Sequence, residues 1–153
     1  MEQGFILRSA EIDDIPSIME IEQICFNKDS FSKRQFVYLI SQAKGHFCIA
    51  EYRQRVGGYF SVLINKRACS LRIYSIAVHP DFRGKKVGQL LIDQIAVIAQ
   101  REGLKRITLE VNVSNFPAIH LYEKNGFKHT SIKEDYYHGG ASAYCMQKST
   151  IVE

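Results

Sequence analysis

Three groups of residues in this 153-residue chain have types and spacings that could do chemistry. The first is Arg83-Gly84-Lys85-Lys86-Val87-Gly88, which follows an apolar β-like run over residues 73–78 and a stop at Pro80. Proline cannot donate to a sheet ladder, so the strand ends there. An amphipathic helix begins at about Val87, and a helix start offers unpaired backbone N–H groups and a positive dipole end to an anion. Gly84 and Gly88 permit close backbone approach, while Arg83, Lys85 and Lys86 add mobile positive charge. A phosphate-rich cofactor suits such a loop. An ordinary strand-to-helix turn with solvated lysines is the competing reading.

The second group is Glu110 and Tyr122. Glu110 lies on the polar face of an otherwise apolar strand over 105–113, where Ile107, Leu109, Val111 and Val113 face one way. If the polar face lines a cleft, desolvation would raise the carboxylate's proton affinity and make it a base near neutral pH. The alternatives are the solvated face of an edge strand or an ion pair with Arg106. Tyr122 falls twelve positions later, among apolar Ala118 and Ile119. A packed core tyrosine is the default, but a phenol near a reacting sulfur could act as an acid. Asn115 could be a helix cap or present its amide to a cofactor. The third group is the aromatic, flexible loop Tyr136-Tyr137 with Gly139 and Gly140, which could stack on a ligand or close a small core. His46, His79, His120, His129 and His138 show no metal-ligand spacing, and no metal is expected.

These residues need a frame to position them. Residues 5–9 read as a first strand, and Asp13 as the N-cap of a helix with Pro16 in its first turn and Ile15, Ile18, Met19, Glu22 and Cys25 at helical spacing. After a polar break at 27–30, Ser32 caps a second helix holding Phe36, Leu39 and Ile40. Three β-like runs follow at 46–52, 56–64 and 69–78, separated by short polar turns, as in an antiparallel meander. A helix over 87–102 is stopped by Gly103. The strand with Glu110 comes next, then a helix from Ser114-Asn115 to Asn125-Gly126, a strand from Phe127 and a last strand at about 142–148. The order β-α-α-β-β-β-α-β-α-β-β predicts an α/β (α+β) domain with parallel neighbours in mid-sheet.

Length and composition narrow the class. One domain over 1–153 is expected, with 46% hydrophobic and 24% charged residues, inside the globular norm. The first residues lack a signal-peptide pattern, and no apolar segment reaches membrane-spanning length. The four cysteines (Cys25, Cys48, Cys69, Cys145) are scattered and read as reduced, mostly buried thiols of a cytoplasmic protein. A net charge of +4 suits a polyanionic cofactor, a ribosomal neighbourhood or nucleic acid, but its dispersal argues against dedicated nucleic-acid binding.

Read together, Ile76-Ala77-Val78-His79-Pro80-Asp81-Phe82-Arg83-Gly84 with Gly88, Leu109-Glu110-Val111-Asn112, Ser114-Asn115 and Ala118-Ile119-His120-Leu121-Tyr122-Glu123-Lys124-Asn125-Gly126-Phe127 resemble the GNAT superfamily of N-acetyltransferases. The likeness covers essentially the whole chain and is greatest to protein N-terminal acetyltransferases, particularly the bacterial RimI-like, ribosomal-protein-alanine type. Tyr136-Tyr137 ahead of Ala143-Tyr144-Cys145-Met146 supports it. The resemblance implies a mixed, mostly antiparallel seven-stranded sheet with about four helices, its parallel central strands splayed around acetyl-coenzyme A. Ile76, Ala77 and Val78 would bind the pantetheine arm through their backbone. Gly84, Lys85, Lys86, Val87, Gly88 and Gln89, with Arg83, would wrap the pyrophosphate, and Asn115 would contact the cofactor. Glu110 would be the general base through water, and Tyr122 would protonate the departing thiolate. Phe31, Tyr136 and Tyr137 would hold the acceptor, and no cysteine matches a family nucleophile.

The favoured acceptor is a protein N-terminus, such as that of a ribosomal protein. An α-amine has a pKa near 8 against about 10.4 for lysine, so neutralising it at pH 7 costs roughly 3 kcal/mol less. The alternatives are a small amine (polyamine, amino sugar or amino acid derivative) and, from another class, a non-enzymatic RNA-binding module; no membrane partner is expected. Three positions depart from the family pattern. Lys86 stands where a glycine is usual, Ala141-Ser142 replaces an acidic pair, and residues 30–36 lack the proline-aromatic element of RimI-like proteins.

Overall fold

The computed structural model describes residues 4–150. Its seven strands are β1 (Ile6–Ser9), β2 (Gly45–Tyr52), β3 (Arg55–Asn65), β4 (Ser70–Val78), β5 (Arg106–Asn112), β6 (Lys128–Lys133) and β7 (Ala143–Ser149). The helices are α1 (Ile15–Phe26), α2 (Lys33–Ser41), α3 (Val87–Arg101) and α4 (Phe116–Lys124). The strands form one sheet in the order β1-β2-β3-β4-β5-β7-β6. β4 and β5 pair in parallel, whereas β1/β2, β2/β3, β5/β7 and β6/β7 are antiparallel. The mixed sheet and the element order are those the sequence predicts.

The chain divides into two compact units, Met1–Leu63 with Tyr74–Gln94 and Ile64–Ile73 with Ile95–Glu153. In the first, α1 contributes Ile15, Ile18 and Ile21 and α2 contributes Phe36 and Leu39 to a core completed by Phe47, Ile49, Tyr59 and Ala77. The i, i+3 spacing of these helical residues puts them on one stripe, which only packing against a sheet face can hide. At Gly58 a Cβ would stand 2.9 Å from the Ala77 carbonyl oxygen and 3.1 Å from Val87, so only glycine lets β3 pass so close. In the second unit, β5 buries Ile107, Leu109 and Val111 and leaves Arg106, Thr108, Glu110 and Asn112 half-buried on the other face. It pairs with β7 along its whole length, from Arg106↔Ser149 to Asn112↔Ala143.

Two expectations need correction. The N-cap of α1 is Asp14, not Asp13, because a 3-10 turn over Ile12–Asp14 precedes the helix. The Asp14 carboxylate does not cap the helix: it accepts from both terminal nitrogens of Arg8 at 2.7 and 2.8 Å and, in the capping box of the 3-10 turn, from the Glu11 N–H at 2.7 Å. The four cysteines are free but half-buried rather than mostly buried. Ser32 does cap α2, accepting from the Gln35 N–H at 3.2 Å within a capping box.

The hydrogen bonds from Arg8 hold the Asp14 carboxyl below the usual carboxylate range, against the opposing effect of burial. A carboxyl depressed in the fold stabilises it above the unfolded-state pKa and loses that contribution as pH falls through the native value. Arg8→Met is expected to cost about 1 kcal/mol at pH 7, discounted for the partial exposure of Arg8. Urea unfolding at several pH values checks it: the difference from wild type should shrink below about pH 4, and a pH-independent difference would contradict the ion-pair account.

Candidate active site

Glu110 is held from two sides in the second unit. Parallel pairing sets Arg72 of β4 against Thr108 of β5, so Arg72 and Glu110 are diagonal neighbours. Arg72 donates to Glu110 Oε1 from Nη2 at 2.8 Å and from Nε at 3.1 Å. Lys133, at the end of β6, brings its Nζ to 3.5 Å from Oε2. The edge-strand alternative fails, and the ion-pair alternative is met by other partners, Arg72 and Lys133, in place of Arg106. β5 is an interior strand. Arg106 lies four residues away on the same strand, about 13 Å along it, whereas the adjacent strand offers a guanidinium at hydrogen-bond distance. The carboxylate side chain is 14% exposed.

The loop between β6 and β7 reaches the same cluster. Arg72 Nη2 donates to the Tyr136 hydroxyl at 3.2 Å, and Lys133 Nζ lies 5.3 Å from the centre of that ring. Tyr137 packs edge-on to Tyr136 at 5.0 Å, and its N–H donates to the Ala141 carbonyl at 3.0 Å. Arg72 thus joins Glu110 to Tyr136. Sequence reading missed Arg72 and Lys133, although the alternation of β4 puts Arg72 on its half-buried face. Tyr122 is 5% exposed and packs on Phe127. Burial, with a smaller effect of Tyr137, pushes its phenol well above the ordinary tyrosine value, so it stays protonated and able to donate. Asn115 realises the capping alternative, accepting from the Ala118 N–H at 3.3 Å at the start of α4.

The first unit carries the basic loop. After β4, the His79 N–H donates to the Gly57 carbonyl at 2.8 Å, and His79 Nδ1 accepts from the Asp81 N–H at 3.0 Å. A 3-10 turn over Pro80–Phe82 then buries Phe82 edge-on to Phe5 at 5.7 Å. This anchored turn presents Arg83, Gly84, Lys85 and Lys86 to solvent, with buried Val87 opening α3. Gly84 has φ +78° and open space where a Cβ would stand, so its backbone is accessible to a phosphate. Lys86 adopts φ +63°, the left-handed conformation the family's glycine would take without strain. Cys25 of α1 donates its thiol to the Val78 carbonyl at 3.5 Å, with Arg83 Nη2 at 4.0 Å from its sulfur. Phe31 stacks on Tyr74 at 4.9 Å, with 21° between the rings. Among the described residues, no group of three metal-ligating side chains exists, and no helix is long and apolar enough to cross a membrane.

The model of the acetyltransferase (GNAT) family matches residues 15–127. An N-alpha-acetyltransferase of Saccharolobus solfataricus is 32% identical over 157 residues, covering 95% of this chain and 93% of that protein. The ribosomal protein bS18-alanine N-acetyltransferase of Escherichia coli is 26% identical over 131 residues, 86% of each. Among solved structures, Ard1 from Thermoplasma volcanium matches with a TM-score of 0.88 and 25% identity over 98% of this chain and 99% of that one.

A left-handed backbone costs a non-glycine residue about 1–2 kcal/mol. Lys86→Gly is therefore expected to raise the stability of the free protein by about 1 kcal/mol, partly offset by glycine's greater unfolded-state freedom. Thermal melts check this. The gain should narrow when excess coenzyme A is added to both proteins, and an unchanged gain would remove Lys86 from phosphate binding.

Proposed function

The chain belongs to the acetyltransferase (GNAT) family, and on that premise we propose that it transfers acetyl from acetyl-coenzyme A directly to the N-terminal α-amine of a protein, a ribosomal protein among the candidates. The observation that carries this reading is the pairing of two facts. Relatives named for N-alpha-acetylation and for alanine N-acetylation of bS18 align over nearly their full length. A half-buried carboxylate, Glu110, stands beside the aromatic loop that would receive a peptide. These relatives favour a protein N-terminus over a small amine or RNA. A cytoplasmic location goes with four free cysteines.

The bound cofactor supplies an activated thioester carbonyl. Backbone groups of Ile76, Ala77 and Val78 would bind its arm, and an N–H there would stabilise negative charge on the carbonyl oxygen. Arg83, Lys85, Lys86 and the backbone of Gly84, Val87, Gly88 and Gln89 hold its phosphates, and the exposed cations and open space at Gly84 fit that role. Asn115 would contact the cofactor from the start of α4 while its Oδ1 caps the helix. Glu110 takes a proton from the α-ammonium through water, and Arg72 fixes the carboxylate's orientation as it does so. Tyr122 donates to the departing sulfur. Its strengthened hold on the proton favours a hydrogen bond that would stabilise the sulfur as it leaves as thiolate, over a completed proton transfer. Phe31, Tyr136 and Tyr137 hold the first residues of the acceptor.

Incubation with acetyl-coenzyme A and a panel of N-terminal peptides and small amines, read by mass spectrometry, tests the acceptor. Acetylation at peptide α-nitrogens is expected, and modification of small amines alone would overturn it. Glu110→Gln should lower kcat by about 10²–10⁴-fold and Tyr122→Phe by about 10²-fold, both with unaltered coenzyme A affinity. Wild-type rates in both variants would refute the assignment.

A further inference from the structure

Glu22 is buried in the first unit's core at 2% exposure, and nothing in the acetyl-transfer steps uses it. Its Oε1 accepts from the Tyr59 hydroxyl and, at 3.4 Å, from the Ser75 hydroxyl. Its Oε2 accepts from the Phe31 backbone N–H at 3.0 Å. One carboxyl thus joins α1, β3, β4 and the segment leading into α2. Burial pushes it above the ordinary glutamate value, more than these three hydrogen bonds pull it down. A buried carboxyl held only by neutral donors is costly. An apolar residue opposite phenylalanine and alanine would fill the same space without that cost. What an apolar residue cannot do is hold the Phe31 amide.

Phe31 sits where the chain is locally unusual. The preceding turn over Asn27–Asp29 starts from Asn27 with φ +49°, and Ser30 closes it by donating to the Asn27 carbonyl at 3.0 Å. The Phe31 ring then stacks on Tyr74 and meets Phe36 edge-on at 5.9 Å. Tyr74 and Ser75 are consecutive in β4 and lead directly into Ile76, Ala77 and Val78. The carboxyl and the ring therefore clamp the same loop to the same strand.

We propose that Glu22 is a positioning residue for the acceptor, holding the Phe31 amide so that the loop between α1 and α2 stays fixed against the strand that carries Ile76–Val78. The inference rests on the acceptor reading above. It also separates hydrogen bonding from charge. A glutamine at 22 can keep every contact, its carbonyl accepting from Phe31 and its amide donating to the two hydroxyls, which can turn to accept. A leucine keeps the volume and loses all three.

The test compares wild type, Glu22→Gln and Glu22→Leu on the peptide that wild type acetylates best. Glu22→Leu should raise the peptide KM about tenfold, with kcat within about threefold and the coenzyme A dissociation constant unchanged. Glu22→Gln should restore the wild-type KM. Amide hydrogen exchange over residues 27–32 should be slow in wild type and Glu22→Gln and fast in Glu22→Leu. A folded Glu22→Leu protein with wild-type KM, or a Glu22→Gln protein as impaired as Glu22→Leu, would overturn the proposal. Should Glu22→Leu fail to fold, exchange of the Phe31 amide in wild type at open-chain rate overturns it equally. A wild-type protein that acetylates no peptide sinks the acceptor reading instead, while the exchange pattern still reports the clamp.

Discussion

A β-strand can hide only every second side chain on one face, and β5 is an interior strand with one strongly apolar face and one polar face. Ile107, Leu109 and Val111 fix the orientation of the strand, because a slip of one residue would turn all three toward the polar side. Glu110 is then obliged to project from the opposite, half-buried face of an interior strand. The parallel neighbour β4 supplies Arg72 at the matching diagonal, and β6 supplies Lys133. The candidate base therefore owes its place to the hydrophobic pattern around it as much as to its own chemistry.

Glu110 and Glu22 are sheltered from water by different means. Glu110 keeps partial exposure and two cationic partners, Arg72 and Lys133. Glu22 is enclosed and held by two hydroxyls and an amide, an arrangement that suits fixing a backbone segment rather than exchanging protons with a substrate. Removing a partner has different consequences in the two places. Near Glu110 water can replace a lost cation. Around Glu22 an unpaired group stays buried, at about 1–3 kcal/mol.

Much of this architecture was legible in the sequence because the informative signals are local. Alternation over 105–113, the apolar stripe of α3 and the caps Ser32 and Asn115 each depend on neighbours within a few residues. The misreadings arise where a distant partner decides. Asp14 replaces Asp13 at the start of α1 because a 3-10 turn precedes the helix, and its carboxylate makes no cap because Arg8, from β1, holds it. Glu110 pairs with Arg72, 38 positions away, because strand order rather than sequence proximity sets who is adjacent. The insertion of β7 between β5 and β6 is likewise a long-range choice that no window of residues encodes. Glu22 read only as one more position on a helical stripe, since its buried partners come from two strands and a turn.

Lys86 weighs the two readings of the basic loop against each other. As a solvated lysine in an ordinary turn it would carry left-handed strain of about 1–2 kcal/mol with nothing to offset it, and glycine or asparagine would serve better. As a cation meeting a phosphate it gains a charge-assisted hydrogen bond of about 1.5–3 kcal/mol, enough to outweigh the strain when ligand is bound. Arg53, Gln54 and Cys69 also take positive φ in turns with no proposed ligand, so what favours the ligand reading is the setting of Lys86 beside a helix start, an open glycine and two further cations rather than its strain alone. On the proposed cofactor reading, a phosphate contact would offset the cost of this backbone conformation without removing it, which would tie cofactor affinity to a single residue.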